Sequence, residues 1–215
     1  DVMSHLKENL EKDSQDRCFV DSFILSHLDI DHIRGIEENF YLGDIDVYND
    51  SNKEKIIIKE AWCSERFWKR ETEANTLSDD AKAYNKEMRR RANLHKDNEE
   101  KIQKEGNRAI IIGDDEDDEG YNNIIHKVGQ STSTVNNQIK SNFKINILGP
   151  LEQQENEVNE NFEPKNRASV ILQIEITVGQ YVNKILLTGD AEVDVWEYMQ
   201  KEYENSFLEY DVLCV

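Results

Sequence analysis

Seven residues, Ser26-His27-Leu28-Asp29-Ile30-Asp31-His32, constrain this chain more than any other stretch, because they set two imidazoles and two carboxylates directly behind an apolar segment at 20–25. The apolar run predicts a buried strand, and Ile33, Ile36 and Phe40 downstream predict a helix, so the polar residues fall on the loop between them. On such a loop His27 and Asp29 can point one way and Asp31 and His32 the other, so that one loop feeds two adjacent ions. Imidazole nitrogen and carboxylate oxygen suit Zn²⁺, Mn²⁺ and Fe. Two ions held roughly 3.5–4 Å apart can share a hydroxide and clamp a phosphoryl or carbonyl oxygen. Histidine is scarce, five in 215 residues, and two of the five bracket two aspartates here, which speaks against a chance cluster on a surface turn.

The remaining pattern predicts an α/β chain. Val2, Leu6 and Leu10 have helical spacing, and 56–58 reads as a short strand. An aromatic patch follows at Trp62, Phe67 and Trp68. Ser78 is a good N-cap with Asp79 and Asp80 in the first turn, and Gly106 a plausible stop, for a helix or helix pair with a thin apolar stripe of Ala81, Tyr84 and Met88. Residues 109–112 return to strand. Residues 168–178 alternate, with Val170, Leu172, Ile174, Ile176 and Val178 on one face; Gly179-Gln180 turns, and 181–188 pairs back. A helix at 191–202, with Val195, Trp196 and Met199 inward, and a strand at 210–215 complete an α/β sandwich whose strand ends carry the ligands.

Charge is distributed unevenly. Residues 53–108 hold 15 of the 26 Lys and Arg and 12 of the 45 Asp and Glu, so that stretch is +3 and the remainder −22. The segment at about 49–108 therefore reads as a basic helical insert in a single acidic domain spanning 1–215. Arg66, Lys69 and Arg70 beside the aromatics, and the triplet Arg89-Arg90-Arg91, are types that grip phosphates and stack on bases. The alternative is a solvated helix face docked by its aromatics. The six acids at 114–119 fit no EF-hand, since His126 falls where the bidentate Glu belongs, and read as a solvated loop. His126 reads as a surface or core residue, and 136–141 and 152–161 as polar loops. Three cysteines without C-x-x-C spacing argue for small buried thiols in a reducing compartment. With no apolar run of membrane-spanning length and no signal peptide pattern, the expected location is cytoplasmic.

Four motifs carry a family resemblance. His27-Leu28-Asp29-Ile30-Asp31-His32 with Gly35 resembles the H-x-D-x-D-H signature of metallo-β-lactamase-fold hydrolases, in the variant of the ComEC-type competence proteins of DNA uptake. Ile147-Leu148-Gly149-Pro150, Asn166-Arg167-Ala168-Ser169-Val170-Ile171-Leu172 and Leu186-Leu187-Thr188-Gly189-Asp190-Ala191-Glu192 resemble later strand ends of that family, in the family's order. The resemblance implies an αββα sandwich and makes Asp190 the carboxylate that bridges two metals. It also implies missing pieces. The family's first strands have no counterpart before Asp1, and the H-H-G-S that should follow the strand at 211–215 is not in the chain. The chain is thus expected to be an internal portion of a longer protein, incomplete at both ends of its sandwich and inactive by itself.

The function expected is that of a two-metal hydrolase using Zn or Mn. Its metals would be held by His27, Asp29, Asp31, His32 and Asp190, with Asp31 and Asp190 in the chemistry and a phosphodiester or nucleic acid as substrate. Arg89, Arg90 and Arg91 would recruit that substrate. The alternatives are a catalytically silent binding or regulatory module on the same fold, and a hydrolase of thioesters or other esters, since fold alone does not choose a substrate.

Overall fold

The computed structural model describes residues 2–68, 77–97, 104–113, 121–150 and 169–214. The acidic run at 114–119, Lys69 and Arg70, residues 166–168 of the third motif, the loop at 152–161 and Val215 lie outside them.

The first half builds a parallel sheet. After helix α1 (Val2–Asn9) come strand β1 (Phe19–Ile24), two single helical turns α2 (Ile30–Ile33) and α3 (Ile36–Asn39), and a short strand β2 (Phe40–Tyr41). Strand β3 (Ile56–Ser64), helix α4 (Asp79–Asp97), strand β4 (Arg108–Ile112) and strand β5 (Ile125–His126) follow. The order is β1-β3-β4-β5, with β2 also beside β3, and all these pairs are parallel. Every residue of β3 except Lys59 is buried. That is what a strand covered on both faces of a parallel sheet requires, and the β-branched Ile56-Ile57-Ile58 suits it.

Residues 49–108 are therefore built into the sheet and do not form an insert. Parallel neighbours β3 and β4 need a crossover, and α4 supplies it. Its start is as expected, with the Ala81 N–H donating to Ser78 Oγ at 3.2 Å. The helix is described as far as Asp97, and Gly106 (φ +87°) belongs to the turn entering β4, where its N–H donates to Lys59 O. The buried face is also wider than the apolar letters suggest. It includes Asn85, Glu87, Arg91 and His95 with Ala81, Tyr84, Met88 and Ala92, so charge was a poor guide to exposure here.

The second half is mostly antiparallel: β6 (Ser131–Thr132), a hairpin of β7 (Thr134–Val135) and β8 (Gln138–Ile139), β9 (Phe143–Gly149), β10 (Ile171–Val178), β11 (Tyr181–Leu187) and β12 (Val212–Cys214). The sheet order is β12-β11-β10-β9-β6. Between β11 and β12 lie helices α5 (Val193–Glu202) and α6 (Asn205–Leu208). The expected hairpin is present: Val178 pairs with Tyr181 across Gly179 (φ +61°) and Gln180. Alternation sorts β10 between two environments. Val170, Leu172 and Ile174 pack with Trp62, Ile112, Ile145 and Ile147 between the sheets, whereas Ile171 turns to Val195 and Met199 of α5. Val178 lies beyond the core and is exposed.

Three clusters thus stack four layers. α2, α3 and α4 cover the parallel sheet, the two sheets share the Trp62 cluster, and α5 covers the antiparallel sheet, giving the expected α/β sandwich. Among the described residues no helix is long and apolar enough to cross a membrane. All three cysteines are free, but only Cys63 is fully buried; Cys18 is intermediate and Cys214 exposed.

His95 gives the helix a pH dependence. Its side chain is buried, Nε2 has no hydrogen-bond partner among the described residues, and burial pushes its pKa down to about 4. Above the unfolded value of 6.5 the residue is neutral in both states and its contribution is intact; between 6.5 and 4 only the unfolded chain takes the proton, so stability falls with pH. The wild type should lose about 2 kcal/mol more than His95→Gln between pH 7 and pH 5, read from urea midpoints at the two pH values.

Candidate metal centre

The loop after β1 is held at both ends by apolar anchors. Leu25, Leu28, Ile33 and Ile36 are all buried, so the polar residues between them are carried on a fixed backbone. Gly35 (φ +85°) separates α2 from α3 in a conformation that other residues adopt only with strain. Asp80 of α4 then accepts from the Gly35 and Glu37 N–H groups at 2.9 and 3.0 Å, tying the loop to the crossover helix. Asp80 reads in the sequence only as acid in its own first turn; nothing local marks it as a cap for a helix more than forty residues away.

The second component comes from the other sheet. The Val170 N–H donates to Ser26 O at 2.9 Å, joining the loop after β1 to the start of β10. After β11, Gly189 (φ +52°) passes so close that a Cβ there would lie 3.0 Å from both Ser169 and Ser26. The next N–H, of Asp190, donates to Ser169 Oγ at 3.2 Å. Thr188 Oγ1 donates to Cys214 O at 3.0 Å, fixing the same turn to β12.

These constraints bring His27, His32 and Asp190 together, with ligand atoms of all three within 4.8 Å of one another. Asp190 divides its oxygens: Oδ2 lies 3.4 Å from His27 Nε2 and Oδ1 lies 3.1 Å from His32 Nε2. Two ligands on one tetrahedral ion at about 2.0–2.1 Å stand roughly 3.3 Å apart, so both spacings suit ligation. The imidazole rings are 4.1 Å apart between centroids. The loop thus does not send its histidines in opposite directions, because the single turn of α2 folds His32 back over His27.

His27 carries the strongest sign of a cation. It is 1% exposed, and Nδ1 faces Ser26 Oγ at 3.0 Å. In the tautomer whose Nδ1–H donates to that hydroxyl, Nε2 presents a lone pair. Nε2 is buried without a hydrogen bond among the described residues. Burial first, and the neighbouring His32 second, lower the His27 pKa, against the opposing pull of Asp190, Asp29 and Asp31. In that tautomer a neutral imidazole lone pair faces an oxygen of Asp190, whose side chain is 33% exposed, an arrangement that a cation between them relieves. The donor set of two imidazoles and a carboxylate fits Zn²⁺ or Mn²⁺.

The other two expected ligands flank this centre. Asp31 has a side chain 73% exposed, with Oδ2 3.7 Å from His32 Nε2. Asp29 is partly buried, acts electrostatically on His27, and does not cap α2 with its side chain. Ser26 and Ser169, which orient His27 and Asp190, were not singled out as site residues; serines beside a ligand motif are too common to signal it.

The arginine triplet does not form an open phosphate-binding face. Arg91 is 1% exposed and donates to Glu87 Oε1 at 2.7 Å, Arg108 O at 2.9 Å and Ile58 O at 3.0 Å. Arg90 donates to both Glu87 oxygens, to Asn107 Oδ1 and to Gly43 O. Arg89 lies over the Trp68 ring at 5.2 Å, and Trp62 and Phe67 are buried. The buried carboxylate of Glu87 draws two of the three guanidinium groups inward. His126 is half-buried and packs on Trp62 with ring centroids 5.7 Å apart, as a core histidine does.

No family model, curated protein or solved structure matches the chain.

Because Arg91 compensates a buried Glu87 and satisfies two strand carbonyls, Arg91→Ala should cost about 3–5 kcal/mol. Arg89→Ala should stay within about 1 kcal/mol. Denaturant midpoints of the two variants check the contrast, and equal losses would show that Arg91 is not the internal tie described.

Proposed function

We propose that this chain carries the metal centre of a two-metal-dependent hydrolase of the metallo-β-lactamase-like kind, acting on a phosphodiester. The supporting observation is the single carboxylate, Asp190, that offers one oxygen to each of two imidazoles from the opposite sheet. His27 with Asp29 would hold one ion and His32 with Asp31 the other, with Asp190 common to both. Bound there, Zn or Mn would supply Lewis acidity toward a phosphoryl oxygen and a more acidic water.

The chain's own residues define the rest. Ser26 and Ser169 hold His27 and Asp190 in register. Buried His27 lies on the inner side of the centre, while exposed Asp31 stands on the open side, where it would help to orient the attacking water. With Arg90 and Arg91 drawn inside and a net charge of −19, a long polyanion has little to follow toward the site, which favours a small phosphodiester over an extended strand.

The intact native protein, resupplied with Mn²⁺ or Zn²⁺, should hydrolyse bis-p-nitrophenyl phosphate or a cyclic dinucleotide. Asp190→Ala should lower kcat/KM at least about 100-fold with circular dichroism unchanged, since the ligand shared by both ions is lost. Turnover that survives a chelator, or Asp190→Ala at wild-type rate, contradicts the proposal. Hydrolysis of a thioester alone moves the substrate class, and bound metal with no turnover on any ester supports the silent module.

A further inference from the structure

Among the described residues the His27 imidazole has one hydrogen-bond partner, the hydroxyl of Ser26, whose Oγ lies 3.0 Å from Nδ1. A histidine that binds a metal is usually oriented by a carboxylate, a backbone carbonyl or a water on its other ring nitrogen, and that partner sets its tautomer. His27 is 1% exposed, so the chain itself has to supply the partner. His32, with a side chain 27% exposed, has solvent at hand for the same purpose.

Ser26 is fixed where its hydroxyl meets the ring. The Leu25 N–H donates to Trp62 O at 3.3 Å, and Ser26 O accepts from the Val170 N–H at 2.9 Å, so the backbone here is tied to both sheets. The side chain is confined as well. A Cβ on Gly189 would lie 3.0 Å from Ser26 Cβ, because the turn that carries Asp190 passes directly against it. That passage accounts for a small residue at position 26. It does not account for the hydroxyl, since alanine would fit the same space.

The direction of the hydrogen bond follows from the ligand atom. With the Nε2 lone pair given to a cation, the neutral ring carries its proton on Nδ1, and Ser26 Oγ accepts it. Ser26 is partly exposed, so its own proton can turn to solvent. The reverse arrangement, with the hydroxyl donating to Nδ1, puts the ring proton on Nε2. That atom is buried, makes no hydrogen bond among the described residues and lies 3.4 Å from Asp190 Oδ2, so the proton would occupy the place of the ion.

We infer that Ser26 is a positioning residue of the metal centre, whose hydroxyl accepts the Nδ1 proton of His27 and so presents Nε2 to an ion shared with Asp190. The inference rests on the metal-binding part of the proposed function and is independent of its substrate.

Zn²⁺ affinity of the intact native protein and of its Ser26→Ala variant would be measured by competition with a chromophoric chelator, with circular dichroism to check the fold. Ser26→Ala, which keeps the small side chain and removes the hydroxyl, should bind Zn²⁺ about 10–100-fold more weakly. NMR of the Zn²⁺-loaded wild type, with ¹⁵N-labelled histidine, should show an Nδ1–H proton on His27 that exchanges slowly with solvent. In the variant that proton should exchange fast while the His32 signals stay in place. Should alanine unfold the protein, the wild-type spectrum decides by itself. Equal affinities, or a loaded wild type with His27 protonated on Nε2, would overturn the role of Ser26 and leave the metal centre standing. No Zn²⁺ binding by the wild type would overturn both.

Discussion

The contact between His27 Nε2 and Asp190 Oδ2 sets the terms for the rest of this structure. In the tautomer whose Nδ1–H donates to Ser26 Oγ, the buried imidazole turns a lone pair toward a carboxylate oxygen 3.4 Å away, a contact that a cation between the two relieves. They arise from different sheets, His27 after β1 and Asp190 after β11. Their meeting therefore depends on the sheets being packed in one register. The Val170 N–H to Ser26 O bond and the close passage of Gly189 over Ser26 and Ser169 hold that register at the site itself.

Deeper in the sandwich the same register is fixed by apolar packing. Trp62 and Ile112 from the parallel sheet interlock with Ile145, Ile147, Val170 and Leu172 from the antiparallel one, all nearly inaccessible to water. On the outer face, Asp80 joins the ligand loop to α4, and Arg91 joins α4 to the carbonyls of Ile58 and Arg108. A chain of contacts thus runs from the core of the parallel sheet through the crossover helix to the loop that bears His27 and His32. Enlarging or removing a core side chain is felt at the His27, His32 and Asp190 cluster through these contacts, because close-packed interiors transmit strain.

How far the chain was legible beforehand follows from which interactions are local. The β10–β11 hairpin was readable because alternation and a Gly179-Gln180 turn are both short-range signals. The ligand loop was readable because four donor residues crowd into six positions. Its geometry was not, since the turn at 30–33 that returns His32 to His27 depends on the burial of Ile33 and on Asp80 far along the chain. The centrality of β3 was hidden by its surroundings: Lys59 and Glu60 interrupt the apolar run, and Trp62 reads with Phe67 and Trp68 as an aromatic patch instead of as part of the strand. Arg90 and Arg91 looked like surface charge because their common partner, Glu87, is an ordinary residue at helical spacing. Only the packing of α4 shows that Glu87 is buried and demands them.

The account turns on whether a cation resides between the two sheets at Asp190. Anomalous diffraction from crystals grown with Zn²⁺ or Mn²⁺, recorded on both sides of the metal edge, locates such an ion without reference to activity. Density should peak at about 2.0–2.2 Å from an oxygen of Asp190 and from Nε2 of His27 or His32. An anomalous map with no peak beside Asp190, and His27 Nε2 hydrogen-bonded to a water or a proton-sharing carboxylate in its place, would contradict it.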